Sequence, residues 1–533
     1  MLVGYVSDEY YAAISDVAVE FTSGKDIVQA RSSASGAVVA DLDPGKYQVT
    51  LTRPGFSTKR TSLTVGAGMT EEPEKVHQFR LLSTAPAGYA WPKWVRSGES
   101  AELCVNCAEP FSVDLWRYGL EPHHVRTIGY WDDHPPGAML QILPDGDFTQ
   151  TGAQWSRHGY VFPSFDPRTS VAAPERSGLY YFHLTGESGA FFSFPWIVAP
   201  AHPSAPVAVL ASNINWNAYN DYGGRSNYTA PSGLPDTPSV NVRQETLWFT
   251  DPDMEAWAGG TYPPLSFDRP EPLNRVFPGE RITDPLRRLG AEHVAPAEWR
   301  LLGWLEREGF GYDLYAETQL HNGLLDLDRY QVLVLSTHPE YWTRKMYTQV
   351  RNWVYERGGK LAYLGGNGIN CEVEFLDAAL MTVHNLDWGI RQAQFESRFQ
   401  MRGESSARLL GTATTMAGYE TGAPYRVLDA GHWVFEGTGL SAGDLLGTAS
   451  LDRRAAGGAS GHETDKLTPS TPPNVRLLAK GVNPDDGGAD MVYFDTPSGG
   501  AVFSVGSISY TCSVIVDDAI SMITSNVLRR FLQ

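Results

Sequence analysis

The stretch Gln331 to Tyr341, QVLVLSTHPEY, constrains this chain more than any other. Val332 to Leu335 form an apolar run without alternation, which predicts a strand buried on both faces, as in a parallel sheet covered by helices. A helical pattern from Met346 to Arg357 completes a strand–loop–helix unit. His338 and Glu340 then stand at the carboxyl end of a central strand, where open α/β sheets place their ligands.

With 533 residues the chain exceeds what one hydrophobic core serves, and two to four domains are expected. A formal charge of −19 argues against a nucleic-acid partner, because phosphate binding needs a basic face. No apolar run approaches the ~18 residues of a membrane span. The first residues, MLVGYVSDEYYAAI, lack the charged and apolar regions of a signal peptide. Four cysteines in such a length do not make a disulfide framework, so a soluble cytoplasmic protein is expected.

Residues 1–82 read as a small β-sandwich, with segments Val17–Phe21, Ala37–Leu42 and Tyr47–Thr52 separated by turn residues. The run LDPGKYQVTLTRPGF resembles carboxypeptidase-regulatory-like sandwiches. Residues 83–203 continue in β style as an Ig-like sandwich, with strands expected within Gly98–Tyr118 and Gly178–Val198. Cys104 and Cys107 have redox or zinc spacing, but no second such pair accompanies them. On a strand that spacing puts the thiols on opposite faces, so packing is the expected role.

From residue 204 to 533 strands alternate with helices. Val207–Ala211, Tyr312–Tyr315, Val332–Leu335, Leu361–Leu364 and Val502–Val505 are the strand candidates. Ala297–Glu308 and Ala519–Leu532 carry amphipathic helical stripes, and Ala455 to Asn474 reads as a polar, loop-rich insert. The expected domain is α/β with a mostly parallel sheet. Three strands run into polar groups: Tyr219 and Tyr228 follow the first, His338 and Glu340 the second, and Gly365-Gly366-Asn367-Gly368 the third. Side by side, these strands bring all three sets into one crevice.

These residues carry a family resemblance. NAYN at Asn217–Asn220, GGRSNY at Gly223–Tyr228, FDRP at Phe267–Pro270, STHPEYW at Ser336–Trp342, GGKLAYLGGNG at Gly358–Gly368 and ETDKLTPSTPPN at Glu463–Asn474 occur in order. Together they resemble the catalytic domain of the N,N-dimethylformamidase large subunit, whose topology is similar to that of glutamine-amidotransferase-like folds. The resemblance implies a mononuclear Fe³⁺ held by Tyr219, Tyr228 and Glu340, with Tyr222 as the alternative to Tyr228. It also implies that His338, Asn367 and Glu463 line the site. Phenolates and a carboxylate are hard, anionic oxygen donors suited to a trivalent ion.

The activity this implies is hydrolysis of a small amide, N-substituted ones included, to a carboxylic acid and an amine. Glu463 would move the proton, His338 would orient or assist, and Asn367 would hold the amide oxygen. The resemblance also brings a separate small subunit, which the two N-terminal modules could replace, or they could mediate self-association. Two rivals stand beside this reading. One is a thiol hydrolase built on Cys371, the other a non-enzymatic protein whose sandwiches grip a glycan or polymer. Tyr341 follows Glu340 directly, and strand alternation turns it away as a packing residue.

Overall fold

The computed structural model describes residues 1–66, 76–132, 169–230, 233–240, 262–288, 290–384 and 395–533. Residues 133–168, inside the expected second sandwich, lie outside this set.

The N-terminal stretch is all β. Ala18–Ser23, Asp26–Arg31, Gly45–Thr52 and Lys59–Val65 form a four-stranded antiparallel sheet, and Leu2–Ser7 pairs with Ala37–Val39 and His77–Arg80 in a second one. Alternating residues of these strands, Val19, Phe21, Val49, Leu51 and Leu63 among them, meet Val3, Val6 and Phe79 in one apolar core. A second β region follows. Phe111–Tyr118, Gly178–Gly186 and Phe191–Ala199 lie in a five-stranded sheet, and Ser100–Asn106 in a three-stranded one. Cys104 and Cys107 are both buried in the core of this region as free thiols, not on opposite faces. Cys107 lies one residue past the strand end, where alternation no longer applies.

The remaining chain is built on a nine-stranded sheet. Its strands are β1 (Val207–Ala211), β2 (Tyr312–Ala316), β3 (Val332–Thr337), β4 (Lys360–Gly365), β5 (Tyr425–Val427), β6 (Leu445–Leu446), β7 (Arg476–Gly481), β8 (Asp490–Asp495) and β9 (Ala501–Ser504). The spatial order is β2-β1-β3-β4-β9-β8-β7-β5-β6. All five expected strands fall in the first block, β2-β1-β3-β4-β9, and every pairing there is parallel. The pairings from β9 onward to β6 are antiparallel, so the sheet is mixed rather than mostly parallel. Short hairpin-like strands extend a parallel sheet cheaply because they need no crossover helix.

Helices cover both faces of the parallel block. Ala208, Leu210, Leu333, Leu335 and Leu361 pack with helix residues Met346, Val350, Trp353 and Val354. The intervening Val207, Val209, Val332, Val334 and Ala362 pack with Leu301, Leu305, Ile523 and Val527 on the other face. Period-two alternation thus feeds two cores at once, which is why the strands carry apolar residues at every position. Among the described residues, the α-helices of five or more residues are α1 (Asn213–Tyr219), α2 (Ala295–Arg307), α3 (Glu317–His321), α4 (Arg344–Glu356) and α5 (Asp518–Phe531). Pro296 sits in the first turn of α2, Thr343 caps α4 by accepting from the Met346 amide, and Asp517 caps α5 through the Ile520 amide.

The chain leaves β1 for β2 on one side and returns to β3 on the other. The β1/β3 boundary is therefore a topological switch point, and connections leaving it in opposite directions open a crevice at the carboxyl ends of both strands. The stretch from Ala455 to Asn474 is not a solvated loop. Ser460–Gly461 and Thr464–Lys466 form short strands, and Ala459, Ser460, His462, Thr464 and Asp465 are buried.

Candidate functional site

Helix α1 follows β1 and ends on Tyr219, and a compact loop then turns back to Tyr228. Helix α1 has no side-chain cap of its own. Instead the buried carboxylate of Glu298 accepts from the Ser212 amide at 3.2 Å and from Trp216 Nε1 at 2.8 Å. Burial pushes the Glu298 carboxyl up to about 8. Buried guanidinium groups fix the loop through its backbone. Arg269 of FDRP donates to the carbonyls of Tyr222 (2.6 Å), Arg225 (3.2 Å) and Asn217 (3.3 Å), and Arg225 donates to that of Pro263 at 2.9 Å.

The tyrosine oxygens meet Glu340 where β3 ends. Tyr219 OH donates to Glu340 Oε2 at 3.1 Å, and Tyr228 OH lies 2.9 Å from the same oxygen and 2.8 Å from Tyr219 OH. Three oxygens thus form a near-equilateral triangle with edges of about 3 Å. Tyr222, the alternative, points elsewhere: its ring packs edge-on to Tyr10 at 5.2 Å and belongs to the core of the second β region.

His338 is fully buried, with Nε2 3.4 Å from Glu340 Oε2 and 3.2 Å from Glu463 Oε2. Asn367 Nδ2 donates to Glu463 Oε2 at 2.6 Å. All six residues singled out in the sequence therefore come together. Three segments carry His338, Glu340, Asn367 and Glu463 through left-handed backbone at non-glycine residues: Thr337 (φ 55°) before His338, Asn367 itself (φ 50°), and His462 (φ 70°) before Glu463. Such conformations cost ~1–3 kcal/mol each and persist where surrounding structure holds them. Gly366 explains how the Glu463 segment approaches, since a Cβ there would lie 2.5 Å from the Glu463 carbonyl oxygen. Asp465 ties the two segments by accepting from the Asn367 amide at 2.9 Å and from Tyr363 OH at 2.8 Å.

Tyr341 belongs to this cluster. Its hydroxyl lies 2.5 Å from Tyr228 OH and accepts from Asn227 Nδ2 at 2.7 Å, so it is not turned away as a packing residue. Cys371 is fully buried, its Sγ donates to the His384 carbonyl at 3.3 Å, and burial pushes its thiol up to about 12. A thiol that is both inaccessible and protonated is no nucleophile at neutral pH.

The cluster opens into a cavity of about 120 Å³ lined by Tyr228, Glu340, Asn367, Glu463, Arg398 and Met416, among others. Burial, then the charges of Glu340 and Glu463, push the Tyr219 phenol well above its ordinary range; for Tyr228 the causes are burial, Glu340 and Tyr219. Burial also raises the Glu340 carboxyl, His338 opposing it. Burial acts to raise Glu463 too, but the neighbouring His338, His462 and Arg454 outweigh it and hold that carboxyl at about 2.

Among the described residues no group of three or more His, Cys, Asp and Glu is placed to hold a metal ion. The oxygen triangle is a different donor set, and it fits one. Adjacent corners of an octahedron with bonds of ~2.0–2.1 Å lie ~2.9 Å apart, the spacing seen here. Burial raises the two phenols and the Glu340 carboxyl, and a bound cation would act in the opposite direction on all three.

Fold and site together define an α/β domain on a mixed sheet with an oxygen-rich pocket at the sheet's switch point. The sequence profile described as N,N-dimethylformamidase beta subunit-like, C-terminal, matches residues 148–519. The N,N-dimethylformamidase beta subunit of Paracoccus aminophilus is 24% identical over 604 aligned residues, covering 96% of this chain and 76% of that one. The beta subunit from an Alcaligenes sp is 29% identical over 397, covering 64% and 50%. Among solved structures, a β-galactosidase from Bacillus circulans sp. alkalophilus aligns with 61% of this chain and 31% of that one, at 11% identity and a TM-score of 0.28. The chain belongs to the N,N-dimethylformamidase beta-subunit-like family, and so to the hydrolases of carbon–nitrogen amide bonds.

Proposed function

We propose that the chain hydrolyses a small amide to a carboxylic acid and an amine at a mononuclear Fe³⁺ centre held by Tyr219, Tyr228 and Glu340. The observation that carries this reading is the triangle of hydroxyl and carboxylate oxygens with edges of 2.8, 2.9 and 3.1 Å. When bound, the ion supplies Lewis acidity toward an amide carbonyl and a water molecule.

The rest of the chemistry belongs to the chain. Glu463 is held ionised by His338, His462 and Arg454, so its Oε2 carries no proton and can take one from an attacking water that a bound ion would acidify; the carboxylate's own basicity is low. The same carboxyl then returns that proton to the departing amine nitrogen, which must be protonated to leave. Asn367, donating to Glu463 Oε2, fixes the carboxylate's direction; when a substrate enters, its carboxamide is within reach of the amide oxygen. His338 bridges the carboxylates of Glu340 and Glu463, coupling proton transfer to the donor set. A cavity of about 120 Å³ suits an amide of a few heavy atoms, N-alkylated ones included. The relatives are named as beta subunits, which supports a second, different chain as partner. Among the described residues no helix is long and apolar enough to cross a membrane, and the cytoplasm is the proposed location.

Release of amine from a panel of formamides, acetamides and aryl amides, assayed before and after iron removal, tests the reading. Activity on a small amide that iron removal abolishes and iron restores is expected. Undiminished activity in iron-free protein would overturn it.

A further inference from the structure

The loop that carries Tyr228 is gripped from two sides. Arg269 holds its inner side, as described above; its outer side is held by the N-terminal β module. Arg80, on the module's strand His77–Arg80, is 1% exposed and donates through Nη2 to the carbonyls of Glu9 (3.3 Å) and Gly223 (3.2 Å). Its guanidinium lies 5.3 Å from the Tyr11 ring centroid. Tyr11 OH donates to the Pro235 carbonyl at 2.8 Å, and Gln78 Nε2 to the Asp236 carbonyl at 3.0 Å. Backbone bonds finish the junction: the Ala13 amide donates to the Ser239 carbonyl at 2.8 Å, and the Ser239 amide to the Tyr11 carbonyl at 3.1 Å.

Two details separate this from inert packing. Gly224 has φ +92°, and a Cβ there would stand 2.5 Å from the Tyr11 Cβ, so loop and module are fitted backbone to backbone. Arg80 is a desolvated cation that reaches one carbonyl of its own module, Glu9, and one of the loop, Gly223, so displacing the loop removes a bond that its burial makes costly to lose. Gly223 lies between Tyr219 and Tyr228, four positions after the first and five before the second.

We infer that the N-terminal β module is a positioning element of the active site: Arg80 and Tyr11 set the loop that aims Tyr228 at Tyr219 and Glu340. Its catalytic consequence rests on the proposed iron reading, but the ordering of the loop does not. Arg80→Met keeps the buried stem and removes the donors, Arg80→Lys restores one cationic donor, and Tyr11→Phe deletes the hydroxyl that bonds Pro235 and lies 3.4 Å from Gln78 Oε1. Amide hydrogen exchange is followed in the iron-free full chain, alongside iron uptake and the phenolate-to-iron absorption band.

In Arg80→Met, protection at residues 221–230 should fall by about tenfold or more, the size of one lost charge-assisted bond, while strands β3 and β4 keep theirs. Iron uptake should fall with it, and Arg80→Lys should recover part of both. Tyr11→Phe should loosen residues 233–239, and it carries the test if Arg80→Met does not fold. Unchanged loop exchange in Arg80→Met and Tyr11→Phe, or loss spread evenly over β3 and β4, would overturn the inference. Wild-type protein that takes up no iron would sink the iron reading alone, because the exchange comparison still decides the loop.

Discussion

Replacing Tyr228 by phenylalanine removes one corner of the oxygen triangle and leaves the ring in place. The Tyr228 hydroxyl lies 2.9 Å from Glu340, 2.8 Å from Tyr219 and 2.5 Å from Tyr341. One hydroxyl has one proton to give, so the loss is that of one buried bond and part of a network, about 1–3 kcal/mol. Tyr341→Phe loses a comparable amount: its hydroxyl contacts Tyr228 and accepts from Asn227, whose amide is left without that acceptor. On stability alone the two variants should look alike. They differ in metal binding. Changes to residues that only support ligands cost ~10–100-fold in affinity, and loss of a ligand should meet or exceed the top of that range. Iron affinity, from competition with a chelator, should therefore fall more than ~100-fold in Tyr228→Phe, about 3 kcal/mol or more, and ~10–100-fold in Tyr341→Phe. Equal losses in both variants, or a larger one in Tyr341→Phe, would refute the assignment of Tyr228.

Glu463→Gln should keep its iron and lose ~10²–10⁴-fold in kcat, measured by amine release, since Asn367 can still bond the new side chain while no base remains. Cys371→Ala should retain activity, and wild-type activity should resist iodoacetamide at neutral pH, since the buried thiol stays protonated up to about 12. Glu298 gives a pH prediction. Its folded value, about 8, exceeds the ordinary 4.5, so its stabilising contribution is full below 4.5 and is lost as pH rises toward 8. Urea titrations should show wild-type stability falling over that window by at most ~1.4 kcal/mol per pH unit from this group, a component absent from Glu298→Gln.

Where local pattern is governed by burial, the sequence was legible. Val332 to Leu335 feed two cores by alternation, and that is why the run marked a central strand and located Glu340 at its end. Tyr341 was misplaced for a definite reason: β3 ends at Thr337, whose left-handed φ of 55° breaks the parity that alternation assumes. In the antiparallel half, Tyr425–Val427 and Leu445–Leu446 are too short to show a period. Glu463 stands amid glycine and polar residues, and its approach to the site depends on Gly366, nearly a hundred positions away, making room for the backbone. Arg80 and Arg269 reach the carbonyls of Gly223 and Tyr222, 143 and 47 positions away, a pairing that local pattern does not show.

The central claim is that two phenols and one carboxylate hold a ferric ion. Metal analysis of the purified full chain, joined to its visible absorption spectrum, tests it most directly. The account predicts close to one iron per chain and a phenolate-to-Fe³⁺ band that disappears in Tyr219→Phe. Active protein that is colourless and iron-free would contradict it.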